Sequence, residues 1–236
     1  MTAAKDGGTG SRRAPVVRLR KVRGRSASSA RWLERQINDP YVAEAKRRGL
    51  RSRAAWKLIQ LDDKFRVLRP GARVLDLGAA PGGWTQVAVE RAKAGQAGGG
   101  RVLAIDLAAM DPVPDAETMT LDFLAAGADA TIRDALGGPV DVLLSDMAAP
   151  ATGHRDTDRI RAQALADAVA EFALEVLAPG GALVMKSFHG ATEKPLLDRL
   201  KRAFATVRHV KPAASRAESA EIYVVATGFR GAPGGS

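Results

Sequence analysis

Cysteine is absent from the 236-residue chain, which excludes disulfides and thiolate metal sites. Histidine is scarce: His154, His189 and His209 stand singly, so a histidine-built metal cluster is not expected. No apolar run approaches the roughly 18 residues that a membrane-spanning helix needs, and the N-terminus lacks the apolar core of a signal peptide. These absences predict a cytoplasmic protein that needs neither a metal nor a membrane. The composition is 46% hydrophobic. That suffices for the core of one sizeable domain and leaves little chain for a second.

Negative charge is missing from two stretches. Residues 1–31 hold nine Lys and Arg against one Asp, and KRRGLRSRAAWK at 46–57 has six basic residues and no acidic one. From residue 58 onward, twenty basic residues face twenty-two acidic ones. The net charge of +10 is therefore segregated, and a segregated positive charge points to a polyanion such as RNA or DNA. A solvated tail that only aids solubility would also account for residues 1–31; the second cluster favours nucleic acid. Within that cluster, Arg51 and Arg53 are expected at the entrance to a binding site.

Bulky apolar residues are rare over 1–29, a Gly-, Ser- and Arg-rich stretch expected to be a disordered basic tail. Residues 30–230 are expected to form one domain. A helical pattern over 30–48 breaks near Asp39-Pro40. A helix over 52–66 follows, with Ser52 as its cap and Arg69-Pro70-Gly71 as its end. Strands are expected at 73–77, 102–106, 118–121, 140–146, 182–188, 206–210 and 221–227. Helices are expected at 83–94, 123–136, 158–177 and 192–204. Nearly continuous apolar strands alternating with helices predict an α/β, Rossmann-like doubly wound sheet of seven strands, mostly parallel with the last antiparallel.

The first strand runs into VLDLGAAPGGWTQVA at 74–88. A strand, a glycine-rich turn and a helix usually hold a nucleotide, but a dinucleotide site wants G-x-G-x-x-G. Here Ala80 occupies the place of the second glycine, which lets backbone approach a pyrophosphate. Pro81 offers no N–H, and no Lys or Arg lies between Leu77 and Glu90, so a triphosphate is also disfavoured. S-adenosyl-L-methionine fits better, because it carries an adenosine without phosphate and a sulfonium that carboxylates attract. Asp76 and Asp146 are available for that sulfonium. Ligands of such sheets sit beyond the carboxyl ends of the strands. Asp106, at one such end, is placed to accept the ribose hydroxyls, and Asp122 is placed to accept from the adenine amino group.

Topology gathers four more charges. Helix 52–66 joins the first strand by a tight turn, so it runs antiparallel to it and brings Lys57 toward the ligand edge. Asp146 and Lys186 stand at carboxyl ends of their strands, and Glu221 opens the last strand at the same edge. Each alone reads as well as a surface ion-pair member. Two lysines and two carboxylates together beside a cofactor loop point to chemistry.

At this point SRAAWKL, LDLGAAPGGW, SDMA, VMKSF and KPAASRAESAEIYVVA resemble the FtsJ-type heat-shock ribosomal RNA methyltransferases. The resemblance covers roughly residues 30–228. It implies transfer of a methyl group from S-adenosylmethionine to a ribose 2′-hydroxyl, a uridine's, in 23S ribosomal RNA of the large subunit, by a monomer. It also implies that Lys57, Asp146, Lys186 and Glu221 are the catalytic tetrad, and that Gly82, Trp84, Asp106, Asp122 and Asp146 line the cofactor site. One departure is Ala148-Ala149-Pro150, where many members read Ala-Pro-Asn. That loop is expected to border the RNA side.

A 2′-hydroxyl is a poor nucleophile, so one proton must be handled. Either Lys186 takes it, or Lys186 stays an ammonium that stabilises the alkoxide while Asp146 takes it. Three other readings compete: a methyltransferase of a small molecule or protein, a silent RNA-binding assembly factor, and an NAD dehydrogenase. The basic cluster, the intact tetrad and Ala80 count against them in turn.

Overall fold

The computed structural model describes residues 33–34, 36–188 and 194–231; the expected tail lies outside them. Asp39-Pro40 proves to be a helix start. Asp39 is extended, its carboxylate accepts the Tyr41 amide at 3.0 Å, and proline at the first position of α1 (Pro40–Arg47) sacrifices no helical bond.

Helix α2 (Ala55–Phe65) departs from expectation at its start. Ala54, not Ser52, occupies its cap position, with no side-chain bond. Ser52 instead packs against the start of the next helix, where a Cβ on Gly83 would lie 2.3 Å from its Oγ. The helix stops at Phe65, one residue from the expected 66, because Asp62 accepts the Leu68 amide at 2.8 Å while Arg66 turns left-handed. Ala55, Leu58, Leu61 and Asp62 are buried at helical spacing, which turns one face of α2 onto the sheet.

The remaining elements alternate: β1 (Arg73–Leu77), α3 (Gly83–Ala92), β2 (Arg101–Asp106), β3 (Glu117–Thr120), α4 (Ala128–Leu136), β4 (Val140–Ser145), α5 (Arg155–Val176), β5 (Leu177–Phe188), α6 (Lys194–Ala203), β6 (Phe204–Val210) and β7 (Glu221–Phe229). Helix α4 starts later than the expected 123 because Gly127, at φ 80°, forms its cap. Asp122 is thereby left in a loop. The sheet order is β3-β2-β1-β4-β5-β7-β6. β1 to β5 pair in parallel, and β7 runs antiparallel to both β5 and β6.

Strand residues alternate between the two faces, and this alternation positions the site. Leu75, Leu77, Leu143, Leu183, Met185 and Val224 belong to the core beneath α4, α5 and α6. Val74, Val142, Leu144, Val184, Tyr223 and Val225 belong to the core beneath α2 and α3. Lys186 continues the second series along β5, and Glu221 precedes Tyr223 in it along β7. Asp146 follows Leu144 by two residues. The charged residues therefore leave the sheet on the face that α2, with Lys57, covers.

Candidate active site

At the carboxyl edge of the sheet those residues meet. Lys57, 5% exposed, pairs with Glu221 at 2.8 Å and lies 4.0 Å from Asp146 Oδ1. Lys186 Nζ reaches Asp146 Oδ1 at 2.7 Å and the Asp146 backbone oxygen at 2.6 Å. All four are brought together. Burial pushes the Glu221 carboxyl up, but the hydrogen bond and charge of Lys57 outweigh it and leave Glu221 below its ordinary value.

A fifth residue, Tyr223, completes the cluster. Its hydroxyl donates to Asp146 Oδ1 at 2.6 Å, and its ring lies 5.6 Å from the Lys57 ammonium and 5.7 Å from the Trp84 ring. Burial, with the charges of Asp146 and Glu221, drives its phenol well above the ordinary tyrosine value. It is therefore a fixed donor. An aromatic in an apolar strand reads from sequence as core, which Tyr223 also is. The usable signal was its place two residues after Glu221, on the same face.

Beside the cluster lies a cavity of about 600 Å³, within the range of small-molecule sites. Asp106, Asp122 and Asp146 line it together with Leu107, Phe123 and Leu124 among others, and no Lys or Arg does. The cavity therefore suits a cationic or neutral ligand rather than a phosphate. Asp106 is fixed by the Ala80 and Ala108 amides, each at 2.9 Å; each carboxylate oxygen retains a lone pair for a hydroxyl donor. Asp122 accepts the Leu124 amide at 3.0 Å.

Gly82 and Trp84 are placed differently, outside the lining of this cavity. Gly82 is the left-handed cap of α3, and a Cβ there would meet Val113 at 2.8 Å and Arg51 at 3.0 Å. Trp84 is 3% exposed and donates its indole N–H to the Ala54 carbonyl at 2.8 Å. What these residues can offer a ligand is the first turn of α3, whose amides have no intrahelical partner.

Three sequence expectations are corrected here. Asp76 is not open to a ligand: it is 1% exposed and accepts the Thr85 hydroxyl at 2.7 Å. Burial pushes its carboxyl up to about 7, with the Thr85 bond opposing and the charges of Asp146 and Asp106 adding. The loop Ala148-Ala149-Pro150 is not confined to an RNA side, since with Met147 it walls the carboxylate-lined cavity. Gly78 permits this, because a Cβ there would fall 2.0 Å from Met147 Cγ. The basic cluster at 46–57 is largely engaged internally. Arg51 donates to the Pro81, Asp111 and Pro112 carbonyls at 3.1, 2.6 and 2.5 Å. Arg53 pairs with Asp39 at 2.6 Å and donates to the Ala214 carbonyl at 2.6 Å. Arg47 and Arg48 both pair with Glu44.

A mostly parallel, doubly wound sheet with β7 inserted antiparallel between β5 and β6 is the arrangement of the class I methyltransferases. Comparison with known proteins narrows the class: the FtsJ-like methyltransferase family matches residues 50–229. This chain belongs to that family. A protein of Parvibaculum lavamentivorans named ribosomal RNA large subunit methyltransferase E is 58% identical over 231 residues, 95% of this chain and 91% of that one. One of the same name from Paramagnetospirillum magneticum is 58% identical over 226 residues, 95% of this chain and 93% of that one. A crystal structure from Plasmodium falciparum, provisionally described as a ribosomal RNA methyltransferase, superposes with a TM-score of 0.68 at 31% identity. It matches 77% of this chain and all of its own.

Proposed function

We propose that this protein methylates a ribose 2′-hydroxyl, a uridine's, in 23S ribosomal RNA of the large ribosomal subunit, as a cytoplasmic monomer using S-adenosyl-L-methionine. One observation carries the reading: Lys186 and Tyr223 converge on a single oxygen of Asp146, at the edge of a cavity lined by carboxylates and no cation.

Asp106 and Asp122 would hold the adenosine, Asp146 would face the sulfonium, and the first-turn amides of α3, Trp84's among them, would receive the amino-acid carboxylate, with Gly82 as the cap that leaves them accessible. When bound, the cofactor supplies an activated methyl group. The chain's own residues have two tasks. The first is to hold the 2′-oxygen in line; such positioning is worth up to roughly 7–11 kcal/mol. The second is to handle the proton. Both Lys186 and Tyr223 approach Asp146 at Oδ1, which leaves Oδ2 to accept the 2′-hydroxyl proton. Lys186, a charge-assisted donor, stabilises the developing alkoxide. Lys57, held by Glu221, adds a second positive charge behind Asp146.

Lys186→Ala should leave S-adenosylmethionine affinity intact in calorimetry and lower single-turnover methyl transfer by roughly 10²–10⁴-fold. Lys186→Arg keeps the charge without offering a usable base, so substantial residual activity supports electrostatic stabilisation. A wild-type rate for Lys186→Ala, with methyl transfer rate-limiting, would remove Lys186 from the reaction.

A further inference from the structure

A second cavity, of about 680 Å³, opens on the other side of the loop after β4. Ala149 lines both cavities, so the two are neighbours across one wall. The second is bordered by Phe188, Ala220, Arg155, Asp156 and Arg159 among others.

Its position relative to the tetrad follows from strand geometry. Phe188 pairs across the sheet with Glu221, and Lys186 pairs with Tyr223. Directly opposed residues of antiparallel strands share a face, as do residues two apart on one strand. Phe188 therefore stands on the face of Lys186, one step of roughly 7 Å further toward the sheet edge. Ala220 adjoins Glu221 from the other strand. The cavity begins where the tetrad ends.

Its charges are unlike those of the first cavity. Among the described residues, neither Arg155 nor Arg159 has an ion-pair partner, whereas Arg51 and Arg53 are engaged internally. Of the two acids, Asp158 is occupied by the loop before α5: it accepts the Thr152 amide and hydroxyl at 2.6 and 2.7 Å and the Gly153 amide at 3.3 Å. Two carboxylates thus sit beside the two arginines, but the oxygens of Asp158 are taken by these donors and neither carboxylate pairs with a guanidinium. A partly exposed aromatic ring beside unpaired guanidinium groups is the equipment of single-stranded nucleic acid binding, where bases stack on rings and cations meet phosphates.

We infer that this cavity is the substrate subsite: an unstacked base of the RNA segment carrying the target ribose stacks on Phe188, and Arg155 and Arg159 hold flanking phosphates. The assignment rests on the RNA-methyltransferase reading and deepens it by naming residues that select a single-stranded target over a helical one. A ribose held at Lys186 has its own or its neighbour's base within reach of Phe188, whereas a base inside a duplex offers no face to stack.

The test uses the full chain and large ribosomal subunits purified from cells lacking it, with labelled S-adenosylmethionine under single turnover. Phe188→Ala should raise the half-saturating subunit concentration roughly 5- to 150-fold, the range that base stacking on a ring supplies. Phe188→Trp should stay within a few-fold of wild type, and calorimetric S-adenosylmethionine affinity should be unchanged in both. Arg155→Ala with Arg159→Ala should lower the slope of log affinity against log salt by about 1–2. If Phe188→Ala proves unstable in thermal melting, Phe188→Leu keeps the apolar bulk without the ring and should show the same weakening. Saturation of these variants at the wild-type concentration, with an unchanged salt slope, would overturn the subsite while leaving the reaction standing. Failure of the wild-type protein to methylate the subunits would instead overturn the reaction itself.

Discussion

Asp146 is held by Tyr223 at 2.6 Å and Lys186 at 2.7 Å on the same oxygen, and the role proposed for its other oxygen depends on its staying there. Tyr223→Phe removes the hydroxyl and keeps the ring packed against Trp84. A hydrogen bond to a charged group is worth about 1.5–3 kcal/mol, so single-turnover methyl transfer should fall roughly 10- to 150-fold with S-adenosylmethionine affinity unchanged. An unaltered rate would show that Lys186 orients Asp146 alone. Asp76 gives a second prediction. Its folded-state value of about 7 lies above the unfolded carboxylate value of about 3.9, so between these the folded state binds more protons. Its contribution to stability is complete below about pH 4 and is lost as pH rises to about 7. Asp76→Asn keeps an acceptor for Thr85 without the buried charge. Denaturant unfolding should show the variant gaining stability over wild type as pH rises through that window. A difference independent of pH would contradict the assignment. The tetrad was legible in the sequence because strand ends and one tight turn fix where charges converge. Tyr223 and Asp76 were not, since a polar contact made from within a core leaves no mark on hydrophobic patterning.

At the scale of elements, the segment between α1 and α2 works as a clamp. Arg51 ties it to the Pro81 carbonyl of the glycine-rich loop and to the Asp111 and Pro112 carbonyls beyond β2. Gln86 of α3 ties it again, accepting the Arg51 amide at 2.8 Å and donating to the Gly49 carbonyl at 3.0 Å. Both clamped loops lead into the carboxylate-lined cavity, one through Ala80 and the other through Asp106. Arg51→Ala should therefore weaken S-adenosylmethionine binding, by about 1.5–3 kcal/mol for loss of a hydrogen-bonding charged group. The salt slope of RNA binding should not change, whereas a phosphate-contacting arginine would lower it by about 1. Calorimetry and a salt titration on the one variant decide between clamp and RNA contact. Sequence reading located α2 and its antiparallel course from the turn into β1. It placed the start three residues early and mistook the arginines for an open patch, because their partners, backbone carbonyls and the carboxylates of Asp39 and Glu44, lie outside the stretch whose charges were counted.

Across the whole molecule, one topological feature makes the site. β7 enters antiparallel between β5 and β6, so its first residue, Glu221, arrives at the edge where β4 and β5 deliver Asp146 and Lys186. The apolar runs and helix spacings reveal the seven strands and their doubly wound, mostly parallel class from sequence; their order across the sheet comes from the structure. The exact bounds of β5 and α4 were hidden, since they depend on neighbouring strands and on the left-handed Gly127. No helix among the described residues is long and apolar enough to cross a membrane, and the net charge of +10 accords with an RNA partner. The central claim is that the tetrad methylates a ribose of 23S RNA in the large subunit. Mass spectrometric mapping of ribose methylation tests it most directly, comparing that RNA from cells with the protein, without it, and with Lys186→Ala in its place. The account predicts one 2′-O-methyl group present in the first and missing from the other two; identical maps in all three would contradict it.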